Sequence, residues 1–259
     1  MKKNLSACTT VLVGKDATID GSTMAARNDD TFGPLTPQRF VTYPAYHNHP
    51  NQVKAYLNKC VVDRPADGYR YQGTPNVNYK TEGVFDESGF NEKNVGMSAT
   101  ESVYANERVL ACDPLNTESG INEDLIVAAT LPFIDSAKDG VKYLGQLIAK
   151  YGSAEGNGVI FSDKNDVWYM EIVTGHHWVA ERIPDDAYAV TGLPFNKWTS
   201  TILITLCGQK AFKNLLKRII STLISTAGIS AIFLERPMYS ISTTIHHVNG
   251  TVIKSSIQV

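Results

Sequence analysis

The chain has 259 residues, a hydrophobic content of 43%, a charged content of 19% and a formal net charge of −2. This composition is typical of a globular protein with a sizeable core and excludes a disordered chain. The nearly balanced charge favours neither a nucleic acid nor an anionic membrane as a partner. The first residues lack the apolar run of a signal peptide, so we expect a cytoplasmic location.

The cysteine pattern gives no support for a metal site. Cys8, Cys60, Cys112 and Cys207 are widely spaced, and the chain contains neither a Cys-x-x-Cys nor a His-x-x-x-His pair. Zinc sites usually take their ligands from such closely spaced pairs. We therefore expect neither a metal nor another cofactor.

The first predicted elements are strands. Apolar runs at residues 9–13 and 22–27 flank Asp20-Gly21, a sequence typical of a β-hairpin turn. Residues 31–80 are rich in Pro, Tyr, Asn and Gly, which favours loops, with a strand at residues 39–43. Residues 83–102 predict two strands around a short connection, with Asn91 at the entrance to the second strand.

Two helices and a second group of strands follow. Asn122-Glu123-Asp124 predicts the start of a helix that ends before Pro132. Ser136 predicts the start of a second helix, which ends at Gly152. Strands are then predicted at residues 158–162, 167–173, 178–183 and 187–191. This order indicates an α+β fold with antiparallel sheets packed against helices.

Cys8 is the main candidate for a nucleophile. It directly precedes the first predicted strand, and Arg27 ends the second strand beside Asp29 and Asp30. A thiol needs a base or a positive neighbour, and removal of residues 1–7 would give Cys8 a free α-amine that can take its proton. Arg27 could stabilise the thiolate, and either aspartate could hold a substrate ammonium or orient the new amine. Alternatively, Cys8 is a small apolar strand residue and Arg27 forms a surface ion pair with Asp30.

Two other candidates have an equally plain structural interpretation. Asn91 could donate its amide to a developing oxyanion, or it could satisfy the backbone of the turn in which it lies. His176 and His177 are predicted to form a hairpin turn between two strands, with a catalytic role as the alternative.

Several motifs resemble those of the bacterial dipeptidases, a family of N-terminal nucleophile hydrolases. The resemblance extends from residue 1 to about residue 192. The motifs are Cys8-Thr9-Thr10-Val11-Leu12-Val13-Gly14, Asp20-Gly21-Ser22-Thr23, Ala26-Arg27-Asn28-Asp29-Asp30, Gly89-Phe90-Asn91-Glu92, Ser98-Ala99-Thr100-Glu101-Ser102, Tyr104-Ala105-Asn106-Glu107-Arg108 and Trp168-Tyr169-Met170-Glu171-Ile172.

The resemblance implies a four-layer αββα sandwich and a propeptide, residues 1–7, removed by autocatalytic cleavage between Ala7 and Cys8. It also implies metal-free hydrolysis of dipeptide substrates. Related penicillin V acylases and bile salt hydrolases place an arginine, an aspartate and an asparagine around the cysteine, roles that fall here on Arg27, Asp30 and Asn91. A homo-oligomer is compatible with the family. The alternatives are a non-catalytic remnant and a hydrolase of other linear amides, such as acyl-amino acids or bile salt conjugates.

The composition changes after residue 192. Residues 1–192 contain 25 of the 26 acidic and 17 of the 24 basic residues, whereas residues 193–259 contain one acid, seven bases and 16 Ser or Thr. We therefore predict a dipeptidase domain at residues 8–192 and an atypical, poorly ordered tail at residues 193–259. Synonymous codons for the tail can be chosen so that a neighbouring reading frame encodes an acid-rich, aromatic sequence. This suggests a frameshift near Leu193. Unfinished sheets would lower activity and solubility.

Overall fold

The computed structural model describes residues 7–30 and 37–191, and the backbone of residues 239–240, 243–247 and 252–253. The strands are β1 (Ala7–Val13), β2 (Met24–Asp30), β3 (Val41–Tyr43), β4 (Asn51–Lys54), β5 (Val61–Arg64), β6 (Tyr71–Pro75), β7 (Asp86–Asn91), β8 (Gly96–Thr100), β9 (Tyr104–Ala105), β10 (Asn157–Ser162), β11 (Val167–Ile172), β12 (Trp178–Arg182), β13 (Ala187–Thr191), β14 (Tyr239–Ser240), β15 (Thr243–His247) and β16 (Val252–Ile253). The helices are α1 (Tyr79–Glu82), α2 (Glu107–Cys112), α3 (Glu123–Thr130) and α4 (Ala137–Tyr151), with 3-10 turns at Lys15–Ala17 and Leu131–Phe133.

Two antiparallel sheets form the centre of the molecule. The five-stranded sheet has the order β16-β15-β13-β1-β2, and the seven-stranded sheet has the order β12-β11-β10-β8-β7-β6-β3. Two small sheets pair β4 with β5 and β9 with β14. Because β1 lies between β13 and β2, the strand that carries Cys8 is inside the five-stranded sheet.

The two large sheets face each other, and helices cover the seven-stranded sheet. One buried cluster joins both sheets through Leu12, Ile160, Val167, Tyr169, Ile183, Ala187 and Ala189. On the other face of the seven-stranded sheet, α3 and α4 pack on residues such as Phe161 and Met170. The predicted α+β class is therefore confirmed, with three of the four expected layers in the described part of the chain. On the outer face of the five-stranded sheet, Val11 and Val190 are 38% and 40% exposed.

The predicted hairpin is present and longer than expected. β1 and β2 each have seven residues, and the ladder pairs Cys8 with Asp29 and Thr10 with Arg27. Gly21 in the connection has a φ of 75°, a left-handed conformation that glycine adopts without strain. The connection continues past Ser22, so β2 begins later than predicted and ends at Asp30 instead of Arg27.

The two predicted helices are also confirmed. The side chain of Ser136 caps α4 by accepting a hydrogen bond from the N–H of Asp139 at 3.2 Å. Asn122 precedes α3 but makes no side-chain capping bond, and the carboxylate of Glu155 instead accepts from the N–H of Glu123 at 2.8 Å. None of the described helices combines the length and the apolar character that crossing a membrane requires.

Short strands from the tail pair with the body of the protein. β15 pairs with β13, β16 extends the same sheet, and β14 pairs with β9. The side-chain pattern of the tail predicts no strands here, but a backbone ladder does not require such a pattern. Residues 192–238 lie outside the described residues. The boundary at residue 192, the poor order of the tail and the frameshift therefore stay predictions.

Candidate active site

Cys8 lies on the face of β1 that is turned toward the seven-stranded sheet. Burial alternates along this strand, with Cys8, Thr10 and Leu12 buried and Thr9 and Val11 exposed. Cys8 itself is only 1% exposed. In this respect it resembles an ordinary core cysteine, and its charged neighbours are what distinguish it.

Arg27 reaches the sulfur of Cys8 from the neighbouring strand. Its Nη2 donates a hydrogen bond to Sγ at 3.1 Å. The side chain of Arg27 is only 9% exposed, which does not fit the alternative of a surface ion pair. A guanidinium beside a sulfur favours the thiolate, the nucleophilic form of cysteine.

Two buried carboxylates hold the same guanidinium. Glu87 in β7 accepts a hydrogen bond from Nη1, and Glu123, the first residue of α3, accepts from Nη2 at 2.8 Å. The side chains of Glu87 and Glu123 are 10% and 9% exposed. Arg27 therefore connects β2 with both the seven-stranded sheet and α3.

Burial and charge have opposite effects on this cluster. Burial disfavours the charged form of Arg27, but the carboxylates of Glu123 and Glu87 outweigh it and raise the pKa of Arg27 above its ordinary value. Burial also raises the pKa of Glu123 well above its usual range, although Arg27 opposes this shift. One guanidinium does not balance two buried carboxylates, so Glu123 holds a proton more readily than an isolated glutamate does.

Asp29 is a carboxylate beside Cys8, and the assignment of the role to Asp30 stays a prediction. Asp29 lies directly opposite Cys8 in the β1–β2 ladder, with its Oδ1 4.0 Å from Sγ. The same oxygen is 3.6 Å from Nη2 of Arg27, and the Asp29 side chain is 43% exposed. Asp30 pairs with Ala7, and its side chain lies outside the described part of the structure.

The described hydrogen bonds of Asn91 are with the backbone around it. The Nδ2 of Asn91 donates to the carbonyls of Leu131 and Ile134 at 2.9 and 2.8 Å. Its Oδ1 accepts from the N–H groups of Lys93 and Val95 at 3.0 and 3.1 Å. Both amide hydrogens are thus engaged by backbone carbonyls in this structure. These contacts correspond to the alternative interpretation, an asparagine that satisfies the backbone of a turn.

Sequence reasoning missed Glu87 and Glu123. They lie 60 and 96 positions from Arg27 along the chain, so no local spacing connects them with it. Glu123 was interpreted as part of a helix start, which is also its position in the structure. The one available signal was an acidic residue at the edge of a buried element, and that signal is weak.

A cavity of about 760 Å³ opens beside Arg27. This volume lies within the range of typical small-molecule sites. The cavity combines carboxylates, apolar side chains and an exposed lysine, and its lining includes Asp29, Glu87, Met24, Met97, Ile160 and Lys164.

The two adjacent histidines contact the carboxylate of Asp113. His176 and His177 lie in the connection between β11 and β12, as predicted, and their Nδ1 atoms are 2.9 and 2.6 Å from the carboxylate of Asp113. Within residues 7–30 and 37–191, no three His, Cys, Asp or Glu side chains meet in an arrangement that could hold a metal ion.

Curated proteins of known sequence provide an independent comparison. The chain is 57% identical over 186 residues to a probable dipeptidase of Latilactobacillus sakei, a match over 72% of this chain and 39% of the relative. It is 49% identical over 184 residues to the probable dipeptidase B of Lactococcus lactis, a match over 71% of this chain and 38% of the relative. The chain thus spans about two fifths of the length of these relatives.

The chain is also similar to a solved structure and to a protein family. Penicillin V acylase from Agrobacterium tumefaciens is similar with a TM-score of 0.41 and 16% identity, over 68% of this chain and 49% of that one. The model of peptidase family C69 matches residues 7–196, a range that contains Cys8, Arg27, Glu87 and Glu123. Because this match covers most of the chain, the chain belongs to peptidase family C69.

Proposed function

We propose that this chain is a cysteine-type dipeptidase whose nucleophile is the thiol of Cys8. The observation that carries the proposal is the buried Sγ of Cys8, which accepts a hydrogen bond from Arg27 at 3.1 Å. Two further findings support it. The relatives are named as probable dipeptidases, and the family match begins at residue 7, directly before Cys8.

The proposal includes removal of residues 1–7 by the chain itself. The thiol of Cys8 attacks the carbonyl carbon of Ala7, the acyl group moves to sulfur, and the nitrogen of Cys8 takes the proton. Water then hydrolyses the thioester and releases residues 1–7 with a terminal carboxylic acid. Cys8 is left with a thiol and a free α-amine, and these two groups supply the nucleophile and the base.

In the mature form, the α-amine takes the thiol proton and the thiolate attacks the carbonyl carbon of the dipeptide. As negative charge passes from sulfur to the carbonyl oxygen, the hydrogen that Arg27 Nη2 gave to sulfur becomes available to the oxyanion. The ammonium group of Cys8 returns its proton to the leaving amine, and water hydrolyses the remaining thioester. Arg27 therefore takes the oxyanion role that the sequence had suggested for Asn91.

Asp29 favours dipeptides over other linear amides as the substrates. In a dipeptide, the ammonium nitrogen and the scissile carbonyl carbon are attached to the same α-carbon. A carbonyl attacked by Sγ therefore brings the ammonium within reach of Asp29, whose Oδ1 is 4.0 Å from Sγ. Acyl-amino acids and bile salt conjugates carry no cation at this position, so they lack this contact.

The test compares the unmodified chain with Cys8→Ala by intact mass and by hydrolysis of a panel of dipeptides. Cys112→Ala is the matched control, because Cys112 is an exposed cysteine outside the site. We expect the unmodified chain and Cys112→Ala to lose residues 1–7 and hydrolyse dipeptides, and Cys8→Ala to do neither. Undiminished hydrolysis by Cys8→Ala, or an unmodified chain that keeps residues 1–7 and has no activity, would refute the proposal.

A further inference from the structure

We propose that Glu87 and Glu123 are positioning residues, which fix the guanidinium of Arg27 against the thiol of Cys8 and offset part of its positive charge there. The inference rests on the proposed function, because it concerns the same thiol. It assigns a role to two residues that the mechanism above does not use.

The positioning follows from where the two carboxylates come from. A free arginine side chain samples many rotamers, and fixing it costs conformational entropy. Here Glu87 in β7 binds Nη1 and Glu123 at the start of α3 binds Nη2, so two separate elements hold the guanidinium plane at both ends. The remaining hydrogen of Nη2 is thereby directed at Sγ of Cys8.

The charge balance around the thiol is unusual, since Arg27 is surrounded by carboxylates. The ionisable groups that face the thiol cluster from the described elements are Arg27 and Asp29 in β2, Glu87 in β7, Glu123 in α3 and Tyr104 in β9, with Glu101 and Glu155 near Glu123. In a poorly solvated site, each carboxylate offsets part of the field of the guanidinium at the sulfur.

This offset is useful for the proposed chemistry. A lone buried arginine would favour the thiolate strongly, and a thiolate stabilised in this way is a weaker nucleophile. It would also give up its charge reluctantly when the α-amine and the thiol exchange a proton. The two glutamates keep the donor in place and moderate its charge, so the thiol does not ionise far more readily than the amine.

The test separates position from charge by using two kinds of variant. Glu87→Gln and Glu123→Gln keep an oxygen that accepts from Arg27 but can no longer ionise. We expect the pH at which Cys8 becomes half-maximally reactive toward iodoacetamide to fall by about one unit in Glu87→Gln. The fall should be smaller in Glu123→Gln, because Glu123 holds a proton more readily. Glu87→Ala and Glu123→Ala remove the contact as well, and we expect kcat for dipeptides to fall about tenfold or more, with a smaller change in KM.

The control is Glu118→Gln, a glutamate that is 73% exposed and pairs with Lys59 on the surface. Peptide mass spectrometry identifies alkylation at Cys8 separately from the other cysteines. Unchanged pH profiles in both glutamine variants would overturn the inference, even if the alanine variants fail to fold. Failure of the proposed function gives a different result, in which Cys8 of the unmodified chain reacts no faster than the exposed Cys112.

Discussion

Cys8 and Asp29 lie directly opposite each other in the β1–β2 ladder, with Sγ and Oδ1 4.0 Å apart. The sequence offers two adjacent carboxylates here, and resemblance favours the second, Asp30. Neighbouring residues of a strand point to opposite faces, so only the register decides which carboxylate accompanies the thiol. The observed register pairs Cys8 with Asp29, and we therefore propose Asp29 for this role.

We predict that Asp29→Asn impairs recognition of the free amino end of a dipeptide. Loss of the charged contact should lower kcat/KM for dipeptides about tenfold or more. The effect on the same dipeptides with an acetylated amino group should be small. Steady-state kinetics on matched pairs of free and acetylated substrates measure this difference. Asp30→Asn is the comparison variant. If Asp30→Asn loses more of the preference for free over acetylated dipeptides than Asp29→Asn does, Asp29 is not the residue that binds the ammonium group.

We predict that Arg27→Ala destabilises the fold as well as the site. Without the guanidinium, the side chains of Glu87 and Glu123 would stay buried, at 10% and 9% exposure, with no cation between them. Removing one partner of a buried ion pair typically costs about 3–5 kcal/mol of unfolding free energy. Urea unfolding measures this loss.

A second variant separates this electrostatic effect from lost packing. Combining Arg27→Met with Glu87→Gln and Glu123→Gln removes all the charges and retains most of the side-chain volume. This triple variant should recover most of the unfolding free energy without recovering activity. A triple variant that is no more stable than Arg27→Ala would show that unpaired charge is not the cause.

We predict that Asn91→Ala lowers stability more than catalysis. The substitution leaves two carbonyls and two N–H groups of the surrounding backbone without the amide that serves them. Buried groups left unsatisfied in this way should cost about 2–4 kcal/mol in unfolding free energy. If Asn91 were an oxyanion donor, its loss would instead lower kcat about 10²–10³-fold. Urea unfolding, together with kcat measured per folded molecule, therefore distinguishes the two roles of Asn91.

The parts of the fold that depend on neighbouring residues were predictable. The hairpin of β1 and β2 and helix α4 follow from local apolar runs, turn residues and the capping Ser136, and the structure confirms them. Cys8 and Arg27 were found together for the same reason, since a hairpin brings the ends of its two strands side by side. The sequence was less informative about register, and this is why Asp29 and Asp30 were not distinguished.

The rest of the site depends on contacts between distant parts of the chain. Glu87 and Glu123 meet Arg27 only because the fold brings β7 and the start of α3 next to β2. The contacts of Asn91 also depend on a distant part of the chain. Its place before a strand suits an oxyanion donor or a turn, and the sequence does not reveal that its amide donates to the carbonyls of Leu131 and Ile134.

Buried carboxyl groups should make the stability of the protein depend on pH. Burial raises the pKa of Asp124 to about 6, that of Asp86 to about 7, and those of Glu171 and Glu181 to about 8. In the unfolded chain these groups ionise near pH 4. Between about pH 5 and pH 8 the folded state therefore binds more protons than the unfolded state, and the unfolding free energy falls as the pH rises. The pKa of Asp113 is shifted in the opposite direction, to about 2. This group therefore changes the unfolding free energy only in more acidic solution.

We predict that Glu171→Gln removes a large share of this pH dependence. Glu171 is 3% exposed, and its Oε2 has no hydrogen-bond partner among the described residues. A glutamine does not ionise, so the unfolded state no longer gains from deprotonation at this position. Urea unfolding at about pH 5 and about pH 8 should show a smaller loss of stability in Glu171→Gln than in the unmodified chain. The exposed Glu118→Gln should behave like the unmodified chain, and an unmodified chain that is equally stable at both pH values would disprove the buried-carboxyl explanation.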